Sequence, residues 1–210
     1  MYLPGFLTAE GLARMREDSE RFTPHARRRD VDESGEWKTP RHLFAIGAQT
    51  IRKIGTVIPQ FFENEGLWQF VSGVVGKDAV PYGDPDENCV VTVLAKLGDQ
   101  HGAHCDDFPW VCNIAIDTPP PGSGGVLRFA PYCTDVQSLE SSHSRLLPLK
   151  PGDAYVLQTD KTVHEVTKLT LEGCRRVLVS FAFIAKGEVK VSSATSKALF
   201  SDDGNHDALQ

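Results

Sequence analysis

GDQHGAHCDDFPWVCNIAI, residues 98–116, decides how the rest of the chain is read. At its centre stands His104-Cys105-Asp106, in apolar, strand-like surroundings. Alternate side chains of a strand share a face, so His104 and Asp106 point together and Cys105 points away. One imidazole and one carboxylate on one face are two-thirds of the set that holds non-haem Fe(II). The third ligand is expected from a remote strand, and His164 in DKTVHEVTKL is the candidate. Two imidazoles and one carboxylate occupy one face of an octahedron. They leave three positions for a bidentate 2-oxo acid and dioxygen.

Outward from this stretch, the chain divides by period. Residues 1–80 form a mostly helical lead-in. Thr8 caps a helix reaching about Phe22, a second helix spans roughly 49–64 with Pro59 kinking or splitting it, and a third covers about 65–76. Residues 23–47 are polar and read as irregular. From residue 85 to 185 the pattern changes to short strands: 89–97, 103–106, 110–116, 125–130, 145–148, 154–158, 162–168 and 175–185. No helix separates consecutive strands. The chain therefore reads as one domain over 1–210, mainly β with a helical buttress: a double-stranded β-helix, or cupin-like jelly roll. Residues 198–210 are polar and expected to be a mobile tail.

Composition narrows the partners. With 22 Lys and Arg against 28 Asp and Glu, the formal charge of −6 argues against a nucleic-acid binder. The basic cluster Arg27-Arg28-Arg29 is followed by Asp30 and Asp32 and reads as solvated surface. No apolar run reaches the roughly 18 residues of a membrane span, and the N-terminus lacks the regions of a signal peptide. Five cysteines without a C-x-x-C pair read as reduced structural thiols, consistent with a cytoplasmic protein.

An H-x-D triplet alone is weak. His104 could be a core histidine, Asp106 a turn residue, and His101 with His104 a zinc pair. The ordered set favours iron: H-x-D early in the strands, Gly124-Gly125 before an apolar strand, the Pro151-Gly152-Asp153 turn, His164, and Arg176 heading VLVSFAFIA. A guanidinium meets the distal carboxylate of a 2-oxo dicarboxylate with two parallel hydrogen bonds. Arg176 shares strand parity with Ser180; Arg175 is the alternative if a bulge shifts the register.

Over roughly 85–185, and more weakly over 35–50, this order resembles the Fe(II)/2-oxoglutarate-dependent dioxygenases. It is most like the small bacterial hydroxylases and halogenases of free amino acids. Their motif, H-x-x-H-x-(D or G)-D, stands here as His101-Gly-Ala-His104-Cys-Asp106-Asp107. The resemblance implies Fe(II) on His104, Asp106 and His164, and 2-oxoglutarate as co-substrate on Arg176. It implies substrate contacts from Arg41 to the α-carboxylate, Glu87 to a side-chain amine and Ser180 to the α-amine, with His101 and Asp107 alongside. Where members carry an amide, this chain has Leu178. Related halogenases have Gly where Asp106 stands, so the resemblance implies hydroxylation of an aliphatic C–H with dioxygen, a cationic, lysine-like amino acid being the first choice. An oxygenase of the same fold acting on a peptide, protein residue or other metabolite is the alternative. A non-enzymatic jelly-roll binding protein is the second alternative.

Overall fold

The computed structural model describes residues 1–31 and 38–201. Part of the polar stretch 23–47 and the tail beyond 201 lie outside the described residues.

Among the described residues, twelve strands form one antiparallel sheet that wraps around a central cavity. In chain order they are β1 (Tyr2–Leu3), β2 (Arg27–Val31), β3 (Arg41–Ile46), β4 (Ala79–Pro81), β5 (Cys89–Leu94) and β6 (Gln100–His104), followed by β7 (Trp110–Asp117), β8 (Leu127–Ala130), β9 (Arg145–Leu147), β10 (Ala154–Gln158), β11 (Val163–Val166) and β12 (Arg176–Ala185). Their order across the sheet is β1-β10-β7-β12-β5-β3-β6-β11-β8-β9, with β2 on β3 and β4 on β12. This is the jelly-roll architecture expected of short strands without intervening helices.

Strand parity separates core from cavity. On β12, Val177, Val179, Phe181 and Phe183 face the main core, while Arg176, Leu178, Ser180 and Ala182 line the cavity. On β7, Cys112, Ile114 and Ile116 face the core, and Val111 and Asn113 face the cavity. The helices close the core side: α1 (Ala9–Phe22), α2 (Ala48–Ile54), α3 (Val57–Phe62) and α4 (Glu65–Val75). Met15, Phe22, Ile51, Ile58, Phe62 and Val71 are among the buried residues they contribute. Phe62 stacks on Phe181 with ring centroids 5.2 Å apart. Burying such side chains is worth about 1.5–3 kcal/mol each and holds the helices to the sheet.

The sequence-based reading differs from this structure in several places. The second helix is broken at Gly55 and Thr56, upstream of Pro59, giving α2 and α3. Residues 27–31 and 41–46, read as irregular, are paired strands. The basic cluster is half-buried rather than solvated: Arg28 pairs with buried Asp99 at 2.6 Å, and Arg29 Nε donates to Leu199 O at 2.7 Å. Residues 198–200, read as tail, belong to α5 (Ala194–Phe200), whose Leu199 is buried. The five cysteines are free thiols.

The break between α2 and α3 is held by a fully buried carboxylate. Asp18 of α1 accepts hydrogen bonds from Thr56 N, Thr56 Oγ1, Val57 N and Ile58 N, at 2.7–3.1 Å. It thus satisfies the first amide groups of α3, which have no partner in their own helix. Asp18→Ala removes the partner of all three amides and leaves the buried Ile58 N–H unpaired, at roughly 1–3 kcal/mol for such a group. A thermal or denaturant melt is expected to show a loss of at least about 2 kcal/mol; a melt within about 0.5 kcal/mol of wild type contradicts this role.

Candidate active site

His104 is the last residue of β6, and His164 lies on the adjacent strand β11. The two are Cα partners in the antiparallel ladder, so both imidazoles emerge from one face. Each Nδ1 meets a carbonyl two residues back: Gly102 O at 2.7 Å for His104, and Thr162 O at 3.0 Å for His164. A carbonyl only accepts, so each Nδ1 donates and each Nε2 keeps its lone pair for a metal. Gly102 permits this approach. Its N–H donates to Pro40 O at 2.8 Å, and a Cβ there would collide with the same carbonyl.

Asp106 completes the set from outside the strand. β6 ends at His104, so a shared strand face is not what brings the carboxylate in; loop 105–109 does. Its Oδ1 lies 3.4 Å from His104 Nε2 and 3.8 Å from His164 Nε2. The three ligand atoms fall within 4.8 Å of one another, close enough to share one ion. Burial tends to raise the Asp106 pKa, but His164, His104 and Thr159 outweigh it and hold the carboxyl below its ordinary range. Burial, with the neighbouring His104, pushes His164 down to about 4, so its imidazole is neutral at physiological pH. A carboxylate and neutral nitrogens are the forms that bind a metal. Cys105 packs beside Ala103 and Val163 and also lines the cavity, where a purely outward position was expected.

Arg176 reaches the same cavity from β12 and is buried. Its guanidinium faces Tyr155 in the cavity wall, whose hydroxyl accepts from Asn113 Nδ2 at 2.6 Å. Arg175 points elsewhere, donating to Thr23 Oγ1 at 3.3 Å. Tyr155 and Asn113 were not singled out in the sequence. Asn113 was findable there, as the one polar residue of WVCNIAI at cavity-facing parity.

The remaining candidates surround this centre. Arg41, Glu87, His101, Asp107 and Ser180 all line the cavity. His101 stacks on His104 with centroids 4.3 Å apart. Asp107 Oδ2 accepts from Ser193 N and Ser196 Oγ, both at 2.7 Å. Ser192 Oγ lies between Asp84 and Glu87, and Lys190 pairs with Asp160 at 3.2 Å. These contacts strap residues 190–201 across the cavity, so that Ser193, Leu199 and Phe200 form part of its wall. The strap's polar composition hid it in the sequence.

Among the described residues, six buried side chains carry a polar atom without a protein partner. Five of them line this cavity: Arg41 Nε, Glu87 Oε2, His101 Nε2, Asn113 Oδ1 and Arg176 Nη2. Buried polar groups are rarely left unpaired, and five in one place mark a site built for polar ligands.

Comparison with known proteins places this geometry. The Halogenase D family model matches residues 1–201. The chain belongs to the Halogenase D family. No curated protein matches it by sequence. Among solved structures, the α-ketoglutarate-dependent epimerase SnoN of nogalamycin biosynthesis matches with a TM-score of 0.71 at 14% identity, over 100% of this chain and 87% of that one. A prolyl-4-hydroxylase of Pseudomonas putida gives 0.59 at 14%, over 89% and 92%. HygX of Streptomyces hygroscopicus, solved with nickel, 2-oxoglutarate and hygromycin B, gives 0.61 at 15%, over 99% and 92%. The fold is thus shared with an α-ketoglutarate-dependent epimerase and a prolyl-4-hydroxylase, and the donor set of His104, Asp106 and His164 fits Fe(II). No helix among the described residues is long and apolar enough to cross a membrane.

Arg176→Lys keeps the charge but loses the two-pronged fork, at about 1–3 kcal/mol. The half-saturating 2-oxoglutarate concentration is expected to rise roughly tenfold, with Arg175→Lys near wild type. The reverse pattern contradicts the placement of Arg176.

Proposed function

We propose that the protein hydroxylates an aliphatic C–H of a free amino acid, with a cationic, lysine-like side chain as first choice. The observation that carries this reading is the pairing, in one strapped cavity, of a buried unpaired guanidinium atom on Arg41 with a buried unpaired carboxylate oxygen on Glu87. With Arg176 assigned to the co-substrate, Arg41 is left for a second carboxylate and Glu87 for an amine. An amino acid with a basic end carries both. The strap favours a small molecule over a peptide, which requires an open groove.

Fe(II), when bound with 2-oxoglutarate and dioxygen, supplies an oxidant able to cleave an aliphatic C–H, with succinate and carbon dioxide released. The chain's own residues supply placement. His104, Asp106 and His164 hold the metal, and Arg176, beside Tyr155, pairs with the distal carboxylate of 2-oxoglutarate. Arg41 and Glu87 fix the two ends of the substrate, and the strap excludes water. Asp106 also bears on the family's name. Halide binding needs a coordination position that this carboxylate fills, so hydroxyl is the expected product substituent.

A mass-spectrometric screen of free amino acids with Fe(II) and 2-oxoglutarate, in chloride buffer, tests this. The expected result is a gain of one oxygen on a cationic amino acid, with equal succinate. Oxidation of peptides alone contradicts the substrate class, and a chlorinated product contradicts Asp106 as a ligand.

Burial pushes the Glu87 pKa up to about 7, against the hydrogen bond from Ser192. The carboxyl is therefore neutral below that pH, and a bound ammonium group must drive off its proton. Apparent affinity for a cationic substrate is expected to rise by about tenfold from pH 6 to pH 8. Glu87→Gln is expected to weaken binding at pH 8 and flatten the profile. An unchanged profile in that variant contradicts the contact.

A further inference from the structure

Asp106 is the one candidate ligand without a strand beneath it, and what aims it lies elsewhere in the chain. Thr159, fully buried immediately after β10, braces the ligand loop at three points. Its carbonyl accepts from Asp106 N at 3.1 Å, its N–H donates to Pro109 O at 2.9 Å, and its Oγ1 donates to Phe108 O at 3.2 Å.

The three bonds reach Asp106 itself, Phe108 and Pro109, so the ligand loop is held from one residue. His104 Nε2, 3.4 Å from Asp106 Oδ1, carries a lone pair and not a proton when it binds a metal, so it offers Asp106 no hydrogen bond then.

We propose that Thr159 is the positioning residue for the iron site: its backbone and its hydroxyl pin loop 105–109 at Asp106, Phe108 and Pro109, and so hold the Asp106 carboxylate where the two imidazoles converge. The proposal rests on the reading of His104, Asp106 and His164 as the metal ligands. It assigns to Thr159, 53 residues downstream of Asp106 by number, the role that the Gly102 and Thr162 carbonyls play for the two imidazoles. Partners of this kind tune metal affinity by about 10–100-fold.

The test is Mn(II) binding to metal-free protein, followed by calorimetry and by the electron paramagnetic resonance of the free ion, with no turnover required. Thr159→Val keeps the shape and removes the hydroxyl; Thr159→Ser keeps the hydroxyl. The valine variant is expected to bind Mn(II) at least about tenfold more weakly, and the serine variant close to wild type. In an Asp106→Ala background, Thr159→Val is expected to add no further loss, because the hydroxyl acts through Asp106. Should the valine variant fail to fold, Thr159→Ala replaces it in the same cycle. Wild-type affinity without the hydroxyl, no rescue by serine, or an equal loss in the Asp106→Ala background overturns the proposal. If Asp106→Ala itself binds Mn(II) like wild type, the ligand assignment has failed instead.

Discussion

Everything at this site depends on one rung of the β-ladder, His104 opposite His164 on β6 and β11. Strand pairing fixes the two Cα positions, and the carbonyls of Gly102 and Thr162 fix the two rings. The nitrogens left over converge without further adjustment. A metal site built on paired strands keeps its geometry whether or not the ion is present, because the ladder and the core behind it set the positions.

That arrangement also organises charge. Two guanidinium groups, Arg41 and Arg176, and three carboxylates, Glu87, Asp106 and Asp107, share one cavity with three imidazoles. Burial would neutralise isolated charges of this kind. Asp106 escapes through its histidine and threonine neighbours, whereas Glu87, served by a serine hydroxyl that also faces Asp84, does not. Asp106 and Glu87 therefore differ: Asp106 is held ionised, whereas Glu87 is neutral below about pH 7.

Much of this was legible in the sequence because the pleat has a period of two. The parity of β12 puts Arg176 and Ser180 on one face and Val177, Val179, Phe181 and Phe183 on the other, and the structure obeys it. The same parity misled at Asp106: the strand stops at His104, and the carboxylate arrives by a loop that Thr159 braces from across the fold. Other long-range partners were equally invisible. Arg28 reaches Asp99 71 residues away and Arg29 reaches Leu199 170 residues away, so a basic, half-buried strand read as solvated surface. The strap over the cavity is built from Ser192, Ser193 and Ser196, whose function lies in carboxylates on other elements. Local pattern carries no signal for such contacts.

The most direct test of the central claim is anomalous diffraction at the manganese edge, from crystals grown without oxygen in Mn(II) and 2-oxoglutarate. The account predicts a single strong peak inside the cavity, coordinated by His104 Nε2, His164 Nε2 and one Asp106 oxygen, with the distal carboxylate of 2-oxoglutarate on Arg176. A peak on other residues, or a 2-oxoglutarate carboxylate seated on Arg41 with Arg176 left unpaired, would contradict it.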